Sequence, residues 1–149
     1  MAVASDHGGF DLKGTVISVL ESLGHEVTDL GTHDRNSCDY PDFAQKVAEG
    51  VAAGVYERGV LICGTGIGMS IAANKVAGVR AALCNEIYSA RMARAHNDAN
   101  VLCIGARVVG AGVAEEIVRA FFTVEHEGGR HARRVEKIRL LERRREGSR

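Results

Sequence analysis

Cys63-Gly64-Thr65-Gly66-Ile67-Gly68 stands between an apolar, strand-like run, Val60–Cys63, and a helix-like one. Three glycines at alternate positions leave backbone N–H groups uncovered, and the start of the next helix adds its positive end. Such a nest stabilises an anion; the plainer alternative is a tight strand-to-helix turn. Cys63 sits at the mouth of the nest. A thiol at a helix N-terminus is held toward its thiolate and can serve as base or nucleophile near neutral pH. The competing reading is a buried cysteine that closes a strand. A dinucleotide fingerprint fits poorly, because Met69 stands where GxGxxG requires its third glycine and the motif follows the third predicted strand. No Walker lysine is present.

Arginine supplies the second kind of chemistry. Arg130 and Arg134 are four apart and share one face of the last predicted helix, while Arg107 follows the last predicted strand. Guanidinium forks match phosphate oxygens, so these three are candidates for a phosphate clamp, although helix arginines are commonly just solvated. Gly128-Gly129 ahead of Arg130 permits a sharp turn into that helix. His96-Asn97-Asp98 closes another helix. The imidazole can exchange a proton near neutrality and Asn97 can hold a hydroxyl, the alternative being a structural histidine. Asp6-His7 ends the first strand, and Tyr40 lies in a further edge loop before Pro41. Together these residues are expected to converge on one edge of one sheet.

The elements that must position them alternate in period. Ala2-Val3-Ala4 is strand-like; Leu12, Val16, Val19, Leu20 and Leu23 repeat at helical spacing, with Gly24 as a stop. Glu26–Leu30 reads as a strand, and Pro41 opens a helix through Val51 that Gly54 ends. After the strand ending at Cys63 comes a helix through about Val76, then a strand Val79–Leu83. A helix Glu86–His96, a strand Val101–Ile104, a helix Val113–Phe122 and a polar helix from about Gly129 follow. Alternation of this kind predicts a three-layer α/β/α, Rossmann-like fold: a five-stranded parallel sheet with an extra C-terminal helix. Ligands of such sheets sit beyond the carboxyl ends of the strands.

The chain has 149 residues, 46% of them hydrophobic and 26% charged, so one domain over 1–149 is expected, with 129–149 as a C-terminal helix and basic tail. A net charge of +0 argues against a nucleic-acid or membrane-surface binder. No stretch is apolar enough to span a bilayer and no signal peptide is evident. The 4 cysteines form no CxxC pair and no His/Cys cluster at metal spacing, and Cys84 and Cys103 read as small buried hydrophobes. Free thiols suit a reducing cytoplasm.

Several blocks, in order, resemble one family. Ser5-Asp6-His7-Gly8-Gly9, Asp39-Tyr40-Pro41, Cys63–Gly68, Ser70–Lys75, His96–Asn100 and Gly128–His131 are similar to the B-type ribose-5-phosphate isomerases over about Ala2 to Ile138. The wider family includes galactose-6-phosphate isomerase subunits and enzymes acting on allose 6-phosphate. The resemblance implies interconversion of ribose 5-phosphate and ribulose 5-phosphate through an enediolate, in the pentose phosphate pathway and without cofactor or metal. It implies that Cys63 moves the proton between C1 and C2, and that Gly64, Thr65, Gly66, Ile67 and Gly68 hold the enediolate oxygen. His96 would open the furanose ring, with Tyr40 assisting. Asp6, His7 and Asn97 would contact the sugar, and Arg107, Arg130 and Arg134 the phosphate. Family members form homodimers, often paired into homotetramers, with the site at the subunit boundary. One branch uses a downstream glutamate in place of the cysteine; this chain has Cys63, and Ser70 in the following helix. Its first strand is shorter than is usual in the family. A hexose-phosphate isomerase of the same fold explains the motifs nearly as well. A non-catalytic sugar-phosphate sensor would leave the thiol and histidine without a purpose, and a dinucleotide oxidoreductase would lack a substrate domain.

Overall fold

The computed structural model describes the backbone of residues 1–146 and the side chains of residues 1–143. Of the basic tail expected after Leu141, residues 147–149 and the side chains of Arg144 and Arg145 lie outside the described residues. The elements alternate as β1 Ala2–Ser5, α1 Phe10–Ser22, β2 Thr28–Asp29, α2 Tyr40–Ala52, β3 Gly59–Cys63, α3 Ile67–Ala73, β4 Ala81–Leu83, α4 Ile87–Asn97, β5 Val101–Gly105, α5 Ala111–Thr123 and α6 Gly129–Glu146. All strand pairs are parallel, in the order β2-β1-β3-β5-β4.

Right-handed crossovers decide which face each helix covers. The chain moves from β1 to β2 in one direction and from β2 to β3 and on to β4 in the other. Accordingly α1 lies on one face and α2 and α3 on the opposite face. The return from β4 to β5 puts α4 back beside α1, and α5 joins them. Two cores result. One gathers Val3, Val60, Ile62, Leu102 and Ile104 of the sheet against Leu12, Val16 and Leu20 of α1, Ala90 of α4 and Ile117 and Phe121 of α5. The other packs Ala4, Leu61 and Cys103 against Val47 and Val51 of α2 and Met69 and Ala73 of α3. Side chains alternate faces along β1, β3 and β5, and both faces are apolar, as a doubly covered sheet requires.

Three elements are shorter than their sequence pattern predicts. The strand expected over Glu26–Leu30 is reduced to Thr28–Asp29, because β2 is an edge strand whose partner β1 starts at Ala2, opposite Thr28. The helix expected to reach Val76 stops at Ala73. There Asn74 turns its side-chain amide to β4, donating to Ala81 O at 2.9 Å and accepting from Ala81 N at 2.8 Å. The expected strand Val79–Leu83 starts only at Ala81, since Arg80 N–H is taken by the Asn100 side chain at 2.8 Å.

Lys13 ties α1 to the short β2. It is 5% exposed, and its ammonium donates to Asp29 Oδ1 at 2.8 Å and to the carbonyl of Thr32. Replacing it with alanine leaves that carbonyl and carboxylate without their buried donor. Lys13→Ala is expected to lower unfolding free energy by about 1–3 kcal/mol, read as a lower urea midpoint with the slope unchanged.

Candidate active site

Cys63 is the last residue of β3, level with Gly105 at the end of β5. Beyond it the chain turns through Gly66, whose φ of +76 places it in the left-handed region. A Cβ there would lie 2.5 Å from Leu83 Cδ1 and 2.9 Å from the backbone of Ile104, so both conformation and space call for glycine. This turn aims Gly66 N–H at Cys63 Sγ, at 3.1 Å. An amide donor in that position supports negative charge on sulfur. Thr65 is exposed at the rim, its hydroxyl accepting from Ile67 N at 3.3 Å.

Neighbouring loops close on the same turn. Asp6 N–H donates to Ile62 O at 3.1 Å, and Asp6 Oδ1 accepts from Gly9 N at 3.1 Å, so the loop after β1 is held against the end of β3. A Cβ on Gly8 would sit 3.2 Å from Gly64 N. On the other side Ala106 N–H bonds Cys63 O at 2.8 Å and Arg107 N–H bonds Gly64 O at 3.0 Å. The Arg107 guanidinium lies over Gly64, 3.4 Å from where its Cβ would be, and the Tyr40 ring leans on Gly68 in the same way, at 2.6 Å. His7 Nδ1 accepts the backbone N–H of Cys38 at 3.3 Å. That bond leaves the proton on Nε2, free to meet a ligand. Asp6, His7, Tyr40, Cys63–Gly68 and Arg107 therefore share the carboxyl edge of the sheet. The contact from Cys38 has no counterpart in the sequence pattern, because the irregular segment between β2 and α2 carries no period.

His96, Asn97, Arg130 and Arg134 are elsewhere, and here the expected convergence on one edge is corrected. α4 leaves the carboxyl end of β4 and runs back to the start of β5, so its last turn lies at the amino edge. Asn100, just beyond that turn, accepts from Gly59 N at 3.0 Å, and Gly59 begins β3. The 11 residues of α4 span about 16 Å, which separates His96 from the Cys63 edge of its own chain. Arg130 and Arg134 lie exposed on the first turns of α6, beside the same end of α4.

The amino edge has its own constellation. The His96 and His131 rings stack at 4.0 Å with 2° between their planes. Glu127 Oε2 lies 3.7 Å from His96 Nε2 and 3.5 Å from His131 Nε2. His131 is held below the ordinary imidazole range by burial first, then by His96 and Arg130, with Glu127 opposing. The sequence shows no His/Cys cluster at metal spacing, yet the fold brings these two imidazoles and a carboxylate together. The only linear trace is Glu127 four residues ahead of His131.

The sequence profile described as Ribose/Galactose Isomerase matches residues 1–138. The chain belongs to this family. It is 51% identical over 145 residues to ribose-5-phosphate isomerase B of Escherichia coli, covering 97% of each chain. Its fold superposes on ribose-5-phosphate isomerase B of Clostridium thermocellum with a TM-score of 0.94 at 54% identity, covering 96% of this chain and 97% of that one. The Mycoplasma genitalium enzyme with bound ribulose-5-phosphate gives 0.92 at 44% identity, covering 95% of both. Among the described residues of this family member, no helix is long and apolar enough to cross a membrane.

The thiols separate into two classes, all four being free. Burial, and secondarily Glu86, pushes the Cys84 thiol up to about 12, and burial also raises that of Cys103. Iodoacetamide near neutral pH is therefore expected to leave Cys84 and Cys103 unmodified in the native protein while labelling Cys63 and the half-buried Cys38. Peptide mapping checks this, and a sugar phosphate should protect Cys63. Labelling of Cys103 before Cys63 would contradict the assignment.

Proposed function

We propose that this chain interconverts ribose 5-phosphate and ribulose 5-phosphate, as a single domain whose sites are completed by a second copy. The observation that carries the reading is Cys63 Sγ beneath the Gly66 amide, in a glycine turn roofed by Arg107. A thiolate there takes the proton from C2 of the open-chain aldose, and the nest N–H groups meet the oxygen that becomes negative in the enediolate. The same sulfur returns the proton to C1 as the O2 hydroxyl proton passes to O1, which leaves a carbonyl at C2. The hydrogen and the electron pair move between adjacent carbons of one molecule, so no redox partner is consumed.

His96, Asn97, Arg130 and Arg134 lie at the far edge of their own chain, so in this reading they serve the site of a neighbour. The carboxyl edge of one protomer faces the amino edge of its partner in a homodimer. Arg107 then holds the phosphate with Arg130 and Arg134 of the partner subunit. The partner subunit's His96 donates to the ring oxygen that Cys63, reserved as base, cannot serve. Asp6, His7, Tyr40 and the partner's Asn97 contact the sugar. The surface supports such docking. Ile67 and Ile71 on α3 and Tyr88 at the start of α4 are 51%, 57% and 70% exposed, and Ile138 and Leu141 form a second apolar strip on α6. Pairing of dimers into tetramers, function in the cytoplasm and a place in the pentose phosphate pathway belong to the same reading. Hexose phosphates are its competitor, since the family profile names galactose beside ribose. Side-by-side assays with ribose 5-phosphate and allose 6-phosphate separate the two.

Cys63→Ala is expected to fold and to lose activity by orders of magnitude, with wild-type turnover refuting the assignment. Arg134→Ala should raise KM about ten- to a hundredfold, the cost of one charge-assisted bond to phosphate.

A sharper test mixes two inactive variants. Cys63→Ala and His96→Asn, unfolded and refolded together, should recover about a quarter of wild-type activity, because each mixed dimer assembles one intact site. No recovery despite mixed dimers would mean that Cys63 and His96 do not meet across a boundary.

A further inference from the structure

At the amino edge, His96 of α4, Glu127 just ahead of α6 and His131 in the first turn of α6 present three ligand atoms that all lie within 4.8 Å of one another. We propose that His96, Glu127 and His131 form a binding site for a divalent transition-metal ion of the zinc class, and that the bound ion inhibits the enzyme. Two imidazole nitrogens and one carboxylate oxygen are a donor set such ions take, with a fourth position left to water. Ligand atoms about 2.0–2.1 Å from one ion sit roughly 3.3 Å apart in a tetrahedron. The separations of 3.5 Å and 3.7 Å from Glu127 Oε2 are close to that. A metal lies in the plane of each imidazole it binds, so the parallel rings must splay as it arrives. The side chains of His96 and Glu127 are 35% and 57% exposed and have room to turn, while His131 at 8% is the fixed member.

Electrostatics sets the scale of affinity. Arg130 Nε lies 3.5 Å from His131 Nε2 and donates to it, a long contact that an arriving ion would displace. Arg130 and Arg134 repel a dication, and Glu127 opposes them. Binding is thus expected to be moderate, favoured above the imidazole range and lost as protons compete in acid. Inhibition rests on the proposed role of His96, since a ring nitrogen bound to metal cannot donate a proton to a sugar.

Cobalt(II) chloride titrated into the wild-type enzyme should give a saturable visible band, one ion per chain, without a thiolate charge-transfer band. Cys63→Ala should keep the band. Glu127→Gln, a substitution at an exposed position, should weaken binding by about tenfold or more. Zinc chloride should inhibit isomerisation of ribose 5-phosphate reversibly to chelator, and less in Glu127→Gln. Absence of a saturable band, or equal affinity in Glu127→Gln, overturns the site. Saturable binding without inhibition keeps the site, and overturns both the proposed inhibition and the ring-opening role of His96. Loss of activity in His96→Asn, together with no metal binding by the wild-type enzyme, overturns the site and leaves the role of His96 standing.

Discussion

Parallel strands force each connecting helix to run back the depth of the sheet, and that constraint governs where chemistry is placed in this protein. Residues that follow a strand, such as Cys63 and Arg107, fall at the carboxyl edge. Residues that end a helix and precede a strand, such as His96 and Asn97, fall at the amino edge. No side chain is long enough to cancel a helix of about 16 Å. A mechanism that uses both groups must obtain one of them from another molecule, so the division between the edges makes self-association a chemical requirement in the proposed function. The exposed isoleucines of α3 and the apolar strip on α6 are then parts of the same arrangement.

The carboxyl edge shows how little of a nest is decided by side chains. Its geometry comes from what glycine lacks. Gly66 takes a positive φ where a Cβ would strike Leu83, and Gly64 and Gly68 leave room for Arg107 and Tyr40. The result is an amide aimed at sulfur on a strand end that is otherwise closed. Cys63 is 5% exposed, whereas Cys103, one strand over and wholly buried, has no comparable donor and behaves as a small apolar residue. Two cysteines on adjacent strands thus differ in chemistry because only one is followed by a glycine turn.

That turn was legible from sequence because three short-range signals coincide there: an apolar run, alternating glycines and a helical period. The central strands were legible for a related reason, since β1, β3 and β5 are buried on both faces and read as continuous apolar runs. The edges were not. β2 and β4 depend on partners at a distance, and Asn74 and Asn100 trim β4 with side-chain hydrogen bonds that no periodicity announces. Placing His96 on the Cys63 edge was an error of a different kind. The order helix, His96, strand already assigns it to the amino edge, whereas convergence on one edge of one sheet is expected from residue type alone. The segment between β2 and α2 carries no period, so the contact of Cys38 with His7 could be learned only from the folded chain.

What holds the end of α4 in position is a partly buried charge network. Asp98 adopts a φ of +46 to end α4, and its carboxylate meets Arg94 at 3.0 Å and Arg80 at 2.8 Å. Arg94 also donates to Ala99 O at 2.6 Å, while Arg80 bonds the carbonyls of Asn97 and Asp98. Burial and the nearby Arg58 draw the Arg94 guanidinium below its ordinary value, and Asp98 opposes that shift. A guanidinium remains charged even so, and a charge with few exits from the core is stable only while its carboxylate stays in place. The last turn of α4 is consequently pinned through its backbone, not through His96 or Asn97 themselves. The Asn97 side chain stays exposed and His96 rests against His131 beside Glu127, so both remain at the surface at the end of α4, where the proposed function needs them.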